Sequence, residues 1–330
     1  MARKTKRMKD VSEEEWKLVN EENKLLLDDF LLHIEAEDIS PTTIKGYKSD
    51  LRIVFNWFRQ FAKNKEFYDI KKTDVSRFQS WCMGKEMSPA RIRRLRSAMS
   101  SLSNYIEKML DDDYPNFRNI INKIKAPTLS FVREKTIFSE DEVNDLLATL
   151  VEKEDYQLAC LIAVLAASGM RKSEVIQCKM DWFFGEPVIF EGMYVSPEIK
   201  TKGRGQLGKR MKKMVIKDIV DKYLKLWKNE RKKLGIDSEY LFVSKRKGKY
   251  EPALLSTIDY WMEKLTKITG VDNYAHCYRH YSATWLKRKG VEVDVIQNFF
   301  GHASSETTAL YIDIGTEENL KGMLSFMDEK

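Results

Sequence analysis

The segment HCYRHYSATWL, residues 276–286, carries two of the chain's four histidines with an arginine between them. At helical spacing His276, Arg279 and His280 share one face, while Tyr281, Trp285 and Leu286 mark the remainder as packed. Imidazole and guanidinium N–H groups turned in one direction are suited to holding phosphate oxygens. Three further clusters carry possible chemistry. In SGMRKSEV, Arg171 follows a continuous apolar run and Glu174 stands three residues on. Alone, that pair reads as a helix-end arginine held by a neighbouring carboxylate. In EIKTKGRGQLGKRMKKMVIK, residues 200–217 contain eight Lys or Arg and no acid, with glycines at 203, 205 and 208 marking a hairpin tip. So many like charges repel unless a polyanion is near, which favours nucleic acid over a merely solvated basic loop. In FFGHASSETTALYID, His302 follows a glycine and Tyr311 comes nine residues later. Each piece of that segment is ordinary alone, and a single tyrosine is more often a packing residue than a nucleophile.

The elements that must position these residues are largely helical. Ser40–Pro41 and Ser88–Pro89 each set an N-cap before proline at the first helical position. Ile44, Tyr47, Leu51, Val54, Phe55 and Phe58 then form one apolar stripe, and Ile92, Leu95, Met99, Leu102 and Ile106 another. The second helix carries Arg91, Arg93, Arg94 and Arg96 in its first turns. A solvated face explains that run as well as phosphate contacts do. Residues 122–135, NKIKAPTLSFVREK, lack a clean period and read as a linker, and Ser139 with Glu142 forms a capping box beyond it. Strand-like stretches follow in PVIFEGMYVSPEIK, MKKMVIK and YLFVS, with helices expected over 218–234 and 253–268. The fold class expected is mainly α: a helical front domain and a larger α-rich domain with a small antiparallel β-sheet. The domain expectation is a loose extension over 1–21, a helical domain over 22–121, a linker over 122–137 and a second domain over 138–330.

Composition narrows the class. At 330 residues, 43% hydrophobic and 32% charged, the chain can bury the cores of two domains. Its formal charge of +7 admits phosphate-rich partners without requiring them. Cys82, Cys160, Cys178 and Cys277 are scattered, which argues against a zinc ribbon or disulfide framework and for a reducing compartment. No metal or cofactor is expected. The basic start, MARKTKRMKD, leads into VSEEEWK rather than an apolar stretch and is not read as a signal peptide. The longest apolar run, residues 158–170, is too short to span a bilayer and reads as a buried helix. A cytoplasmic protein with no membrane partner is expected.

In their order, SGMRKSEV, the basic hairpin, HCYRH and GHASSETTALYID resemble the tyrosine recombinases, the phage-integrase and Xer superfamily. The segment DISPTTIKGYKSDLRIVFNWF and the arginine helix are similar to that family's core-binding domain, so the resemblance covers roughly residues 22–325. It implies a C-shaped clamp on double-stranded DNA recombination sites. It also implies catalytic roles for Arg171, His276, Arg279, His302 and the nucleophile Tyr311, with Glu174 and His280 in support. Lys200 is the lysine chosen as general acid, with Lys202 close behind, because the hairpin is longer than usual in the family. Arg91, Arg93, Arg94, Arg96, Lys202 and Arg204 are the expected DNA contacts. Tyr278 and Phe300 stand where leucines are common.

The implied reaction is strand cleavage through a 3′-phosphotyrosine, then rejoining to a new duplex, in the integration, excision or resolution of a DNA element. Leu320, Met323, Leu324 and Phe326 form an amphipathic tail, which the resemblance assigns to exchange between protomers of a homo-tetramer on DNA. An accessory DNA-bending protein is a further partner it allows. The alternatives are a type IB topoisomerase-like relaxing enzyme and a catalytically silent DNA-binding regulator.

Overall fold

The computed structural model describes residues 8–129, 136–203 and 208–301. Contacts divide the chain into two compact units, one of Met1–Glu134 with Gly203–Gly208, the other of Lys135–Lys202 with Lys209–Lys330. The first holds α1 (Glu13–Lys17), α2 (Glu21–Ala36), α3 (Pro41–Phe61), α4 (Lys72–Gly84) and α5 (Pro89–Met109). Ser40 and Ser88 accept from the backbone N–H groups of Thr43 and Arg91, and proline opens each helix. Leu51, Val54, Phe55 and Phe58 of α3 meet Leu27 and Phe30 of α2 and Leu95, Met99 and Leu102 of α5 in one core. The N-terminal stretch expected to be loose is partly ordered. Ser12 and Glu15 cap α1 reciprocally. Trp16 then packs 6.3 Å from Phe55, with the Arg52 guanidinium 4.9 Å above the Trp16 ring. One aromatic ring supplies the apolar area that the surrounding charges lack.

The second unit begins with α6 (Glu140–Glu152), whose Ser139–Glu142 capping box forms. There follow α7 (Tyr156–Ser168), α8 (Lys172–Val175), β1 (Ile189–Phe190), β2 (Met193–Val195), β3 (Ile199–Thr201), β4 (Lys209–Met211) and β5 (Met214–Ile216). Then come α9 (Lys217–Lys233), β6 (Val243–Arg246), β7 (Lys249–Pro252), α10 (Leu255–Thr269), α11 (Ala275–Arg288) and α12 (Val293–Phe300). α7 is apolar on every side because α6, α9 and α11 surround it. Each buried Leu or Ile there contributes roughly 2 kcal/mol of transfer free energy. The strands make three antiparallel sheets rather than the single small sheet expected: β1-β2-β5, β3-β4 and β6-β7. MKKMVIK divides between two of them, since β4 ends at Met211 and β5 starts at Met214. Among the described residues, no helix is long and apolar enough to cross a membrane.

Candidate active site

The site is built round a buried carboxylate. α7 closes at Gly169 in the left-handed conformation, φ 57°, and the chain turns at once into α8. A Cβ on Gly169 would lie 2.3 Å from the Phe300 ring, so only glycine permits this turn. Glu174, fully buried in α8, reaches back to its own N-terminus. Its Oε2 accepts from the Arg171 backbone N–H at 2.9 Å, and its Oε1 accepts from Arg171 Nη1 at 3.0 Å. Lys213, between β4 and β5, places its Nζ 3.2 Å from Glu174 Oε2. Burial alone would push the Glu174 pKa up. The charge of Lys213, the Arg171 N–H and the charges of Arg171 and Arg279 outweigh it and hold the carboxyl below its usual range. Lys213 is pushed down too, by burial and by the two arginines, against the pull of Glu174. Burial is the main cause of the Lys213 shift, and the surrounding positive charge adds to it while holding Glu174 ionised.

Arg279 enters from α11 and is 1% exposed. Its Nη1 donates to the Gly169 carbonyl, its Nη2 donates to the Phe300 carbonyl at 3.2 Å, and its guanidinium lies 4.3 Å over the Phe300 ring. His276, one turn earlier on the same helix, keeps an exposed edge. Desolvation, then the charges of Arg279, Arg171, His280 and Lys202, push its pKa down to about 4. Water screens part of this push at the exposed edge. His280 is buried beside it. Arg171, Arg279, His276, Lys202 and Glu174 thus share one electrostatic neighbourhood, although α8, the β3–β4 hairpin and α11 supply them separately. The resulting cationic centre has a permanently charged, fork-shaped donor on each side and a neutral imidazole at its rim.

Lys200 faces out from β3 between the buried Ile199 and Thr201, and its backbone exchanges hydrogen bonds with the Gln177 side chain. Arg204, His302, Tyr311 and the tail residues Leu320, Met323, Leu324 and Phe326 lie outside the described residues. Lys213 was not singled out by its sequence, yet a signal existed. Period two puts it on the face of the buried Val215.

On the first unit, the arginines of α5 divide. Arg91 and Arg94 both bind the buried Asp50, Arg94 Nε at 2.8 Å, and Arg94 remains largely exposed. Arg93 is exposed and donates to the Pro127 carbonyl at 2.8 Å. Arg96, expected to contact DNA, is instead buried at 6% exposure. It donates to Gln79 Oε1 and to the carbonyls of Ile121 and Ile124, tying down the segment after α5. Its donors are turned inward because position 96 lies on the apolar stripe, between Ile92 and Met99. Arg93, Arg96, Ser97, Ser100, Ser101, Asn122 and Ala126 line a polar cleft of about 370 Å³.

A helical unit, followed by a mainly helical unit with short hairpins and clustered cations, suits a protein that handles a polyanion. The chain belongs to the phage integrase family. Residues 136–318 match the Phage integrase family and residues 26–116 match the Phage integrase, N-terminal SAM-like domain. The SPbeta prophage-derived recombinase-like protein YomM of Bacillus subtilis is 30% identical over 325 residues, covering 96% of this chain and 95% of that one. A tyrosine recombinase of Thermosipho africanus is 26% identical over 299 residues, covering 89% and 95%. Among solved structures, the XerH site-specific recombinase bound to palindromic difH substrate, in a post-cleavage complex, aligns with a TM-score of 0.65 at 23% identity. That alignment covers 87% of this chain and 80% of the other. The chain is accordingly a tyrosine recombinase, an enzyme of site-specific DNA strand cleavage and rejoining, and the topoisomerase and silent-regulator alternatives are not favoured.

Proposed function

We propose that Tyr311 attacks the scissile phosphorus of a recombination site, giving a 3′-phosphotyrosine and a free 5′-hydroxyl. The phenol proton passes to His276, whose neutral imidazole at ordinary pH supports the role of acceptor. The departing 5′-oxygen takes a proton from a hairpin lysine. Lys200 is the lysine assigned to this step and Lys202 the alternative, which the action of its charge on His276 supports. A 5′-hydroxyl from a partner strand then attacks the phosphotyrosine, restoring the diester and the phenol. No nucleotide cofactor is consumed, since each step exchanges one phosphoester for another.

Arg171 and Arg279, with His302, stabilise the added negative charge on the non-bridging oxygens. Arg279 brings five N–H donors to this task, of which one on Nη1 and one on Nη2 are directed at the Gly169 and Phe300 carbonyls. Glu174 and His280 orient the arginine and imidazole groups, while Arg93, Arg94 and Arg204 contact the DNA backbone. The working assembly is a homo-tetramer on double-stranded sites in the cytoplasm, with the C-terminal tail exchanged between protomers.

The observation that carries this reading is the convergence of Arg171, Arg279, His276 and Lys202 from three separate elements. The discriminating experiment uses duplexes selected from random sequence for binding to this protein. Strand exchange between paired sites is expected, with little relaxation of a supercoiled plasmid lacking them. Relaxation of any plasmid without strand exchange contradicts the proposal.

A further inference from the structure

We propose that Lys213 is a positioning residue for strand cleavage: it fixes the charge and orientation of the Glu174–Arg171 pair and anchors the end of α12, from which His302 and Tyr311 follow. The inference rests on the cleavage reading above and adds a residue to it.

The ammonium of Lys213 is 2% exposed, and burying it costs more than an apolar side chain of the same length would. Stability alone therefore gives no reason for a lysine here. Its contacts do. Nζ pairs with Glu174 Oε2 at 3.2 Å and donates to the Phe300 carbonyl at 3.4 Å. Its backbone is held equally well: Lys213 N donates to Ser196 Oγ and Ser196 N donates to Lys213 O, each at 2.8 Å. One side chain thus ties the carboxylate that holds Arg171 to the carbonyl that also receives Arg279 Nη2. The next residue, Gly301, has φ 68°, and a Cβ there would lie 2.2 Å from the Met211 side chain at the end of β4. The base of the β3–β4 hairpin and the end of α12 therefore meet where Lys213 sits.

Charge accounting points the same way. Arg171, Lys213 and Arg279 surround one carboxylate, an excess of two positive charges. A phosphodiester carries one negative charge, and its pentacoordinate transition state carries one more. The excess is matched at the transition state and not in the ground state, which is the differential that accelerates a reaction. The groups facing Glu174 are Arg171 at the start of α8, Lys213, Arg279 on α11 and the Cys178 thiol beyond α8. Without Lys213, burial opposes ionisation with less to offset it, so the carboxyl takes up a proton at higher pH and releases its hold on Arg171.

The test measures single-turnover cleavage of a nicked duplex, with binding measured in parallel, for the wild type, Lys213→Met, Glu174→Gln and the double variant. Lys213→Met is expected to bind within about threefold of wild type and to cleave about tenfold more slowly or worse. Its deficit relative to wild type should shrink as pH rises, as Glu174 ionises again. A deficit independent of pH, or cleavage within about threefold of wild type, overturns the proposal. If Lys213→Met does not fold, the double variant, which removes the buried ammonium together with its carboxylate, must cleave more slowly than Glu174→Gln alone, because the hold on the Phe300 carbonyl is lost as well. Equal rates overturn the proposal. A wild type that never cleaves defeats the cleavage reading and this inference together, whereas equal cleavage by wild type and Lys213→Met defeats this inference alone.

Discussion

Arg171 and His276 define what single residues contribute. Arg171 is held by two bonds to Glu174, one from its backbone N–H and one from Nη1, and the rest of its planar fork offers paired donors that an ammonium cannot reproduce. Arg171→Lys should therefore lower the cleavage rate by roughly 10²–10³-fold while DNA binding stays near wild type. Single-turnover kinetics beside a gel-shift titration checks this, and an equal loss of binding assigns Arg171 to DNA positioning instead. His276 gives a pH dependence with a definite sign. Unfolded, it takes a proton near its ordinary pKa of about 6.5. Folded, it resists protonation until about pH 4. Its contribution to stability is complete above the unfolded value and is lost as pH falls from there towards the folded value. Denaturant midpoints of wild type should fall over that interval, and His276→Gln should flatten the fall. An identical fall in the variant contradicts the assignment. Glu174, whose folded pKa is lowered, loses its contribution only at more acid pH. These chemical residues were legible because arginine, histidine and lysine clusters announce themselves. Lys213 was not, since a second lysine in a basic hairpin looks like one more solvated charge until strand alternation is applied to it.

The same lesson holds for elements, where periodicity decides what a charge does. α5 was readable from its Ser88 cap and apolar stripe, and its core positions are buried as the spacing predicts. Counting arginines without assigning each to a face hid the difference between Arg96 and Arg94. Arg96→Met should destabilise the protein by roughly 2 kcal/mol, because two backbone carbonyls lose a charged donor. Its effect on the salt dependence of DNA binding should be negligible. Arg94→Ala should do the reverse, with a stability change under about 1 kcal/mol and a salt slope shallower by about one unit. Thermal melts and binding isotherms over a range of salt separate the two. A shallower slope for Arg96→Met, with unchanged melting, contradicts the buried role. α1 escaped notice for another reason: none of its five residues is fully buried, and one of them, Trp16, provides the hold through Phe55. The sheets were legible as strand-like segments but not in their pairing. Strands of two to four residues carry too little pattern to state which neighbour they join.

For the whole molecule, family membership was legible in the order of the clusters, because the chemistry needs cations from distant parts of the chain in one place. Glu174 and His276, on different helices, feel both Arg171 and Arg279, which is the physical form of that requirement. Sequence left the hairpin register open, since Lys200 and Lys202 have the same strand parity. The central claim is that this cationic centre serves a tyrosine that becomes covalently joined to DNA. The most direct measurement incubates the full chain with a nicked duplex that loses its 5′-hydroxyl fragment on cleavage, then maps the trapped adduct by mass spectrometry. A 3′-phosphate on Tyr311 in the wild type, and no adduct in Tyr311→Phe, is expected. An adduct of undiminished yield in Tyr311→Phe, or one mapped to another residue, contradicts it.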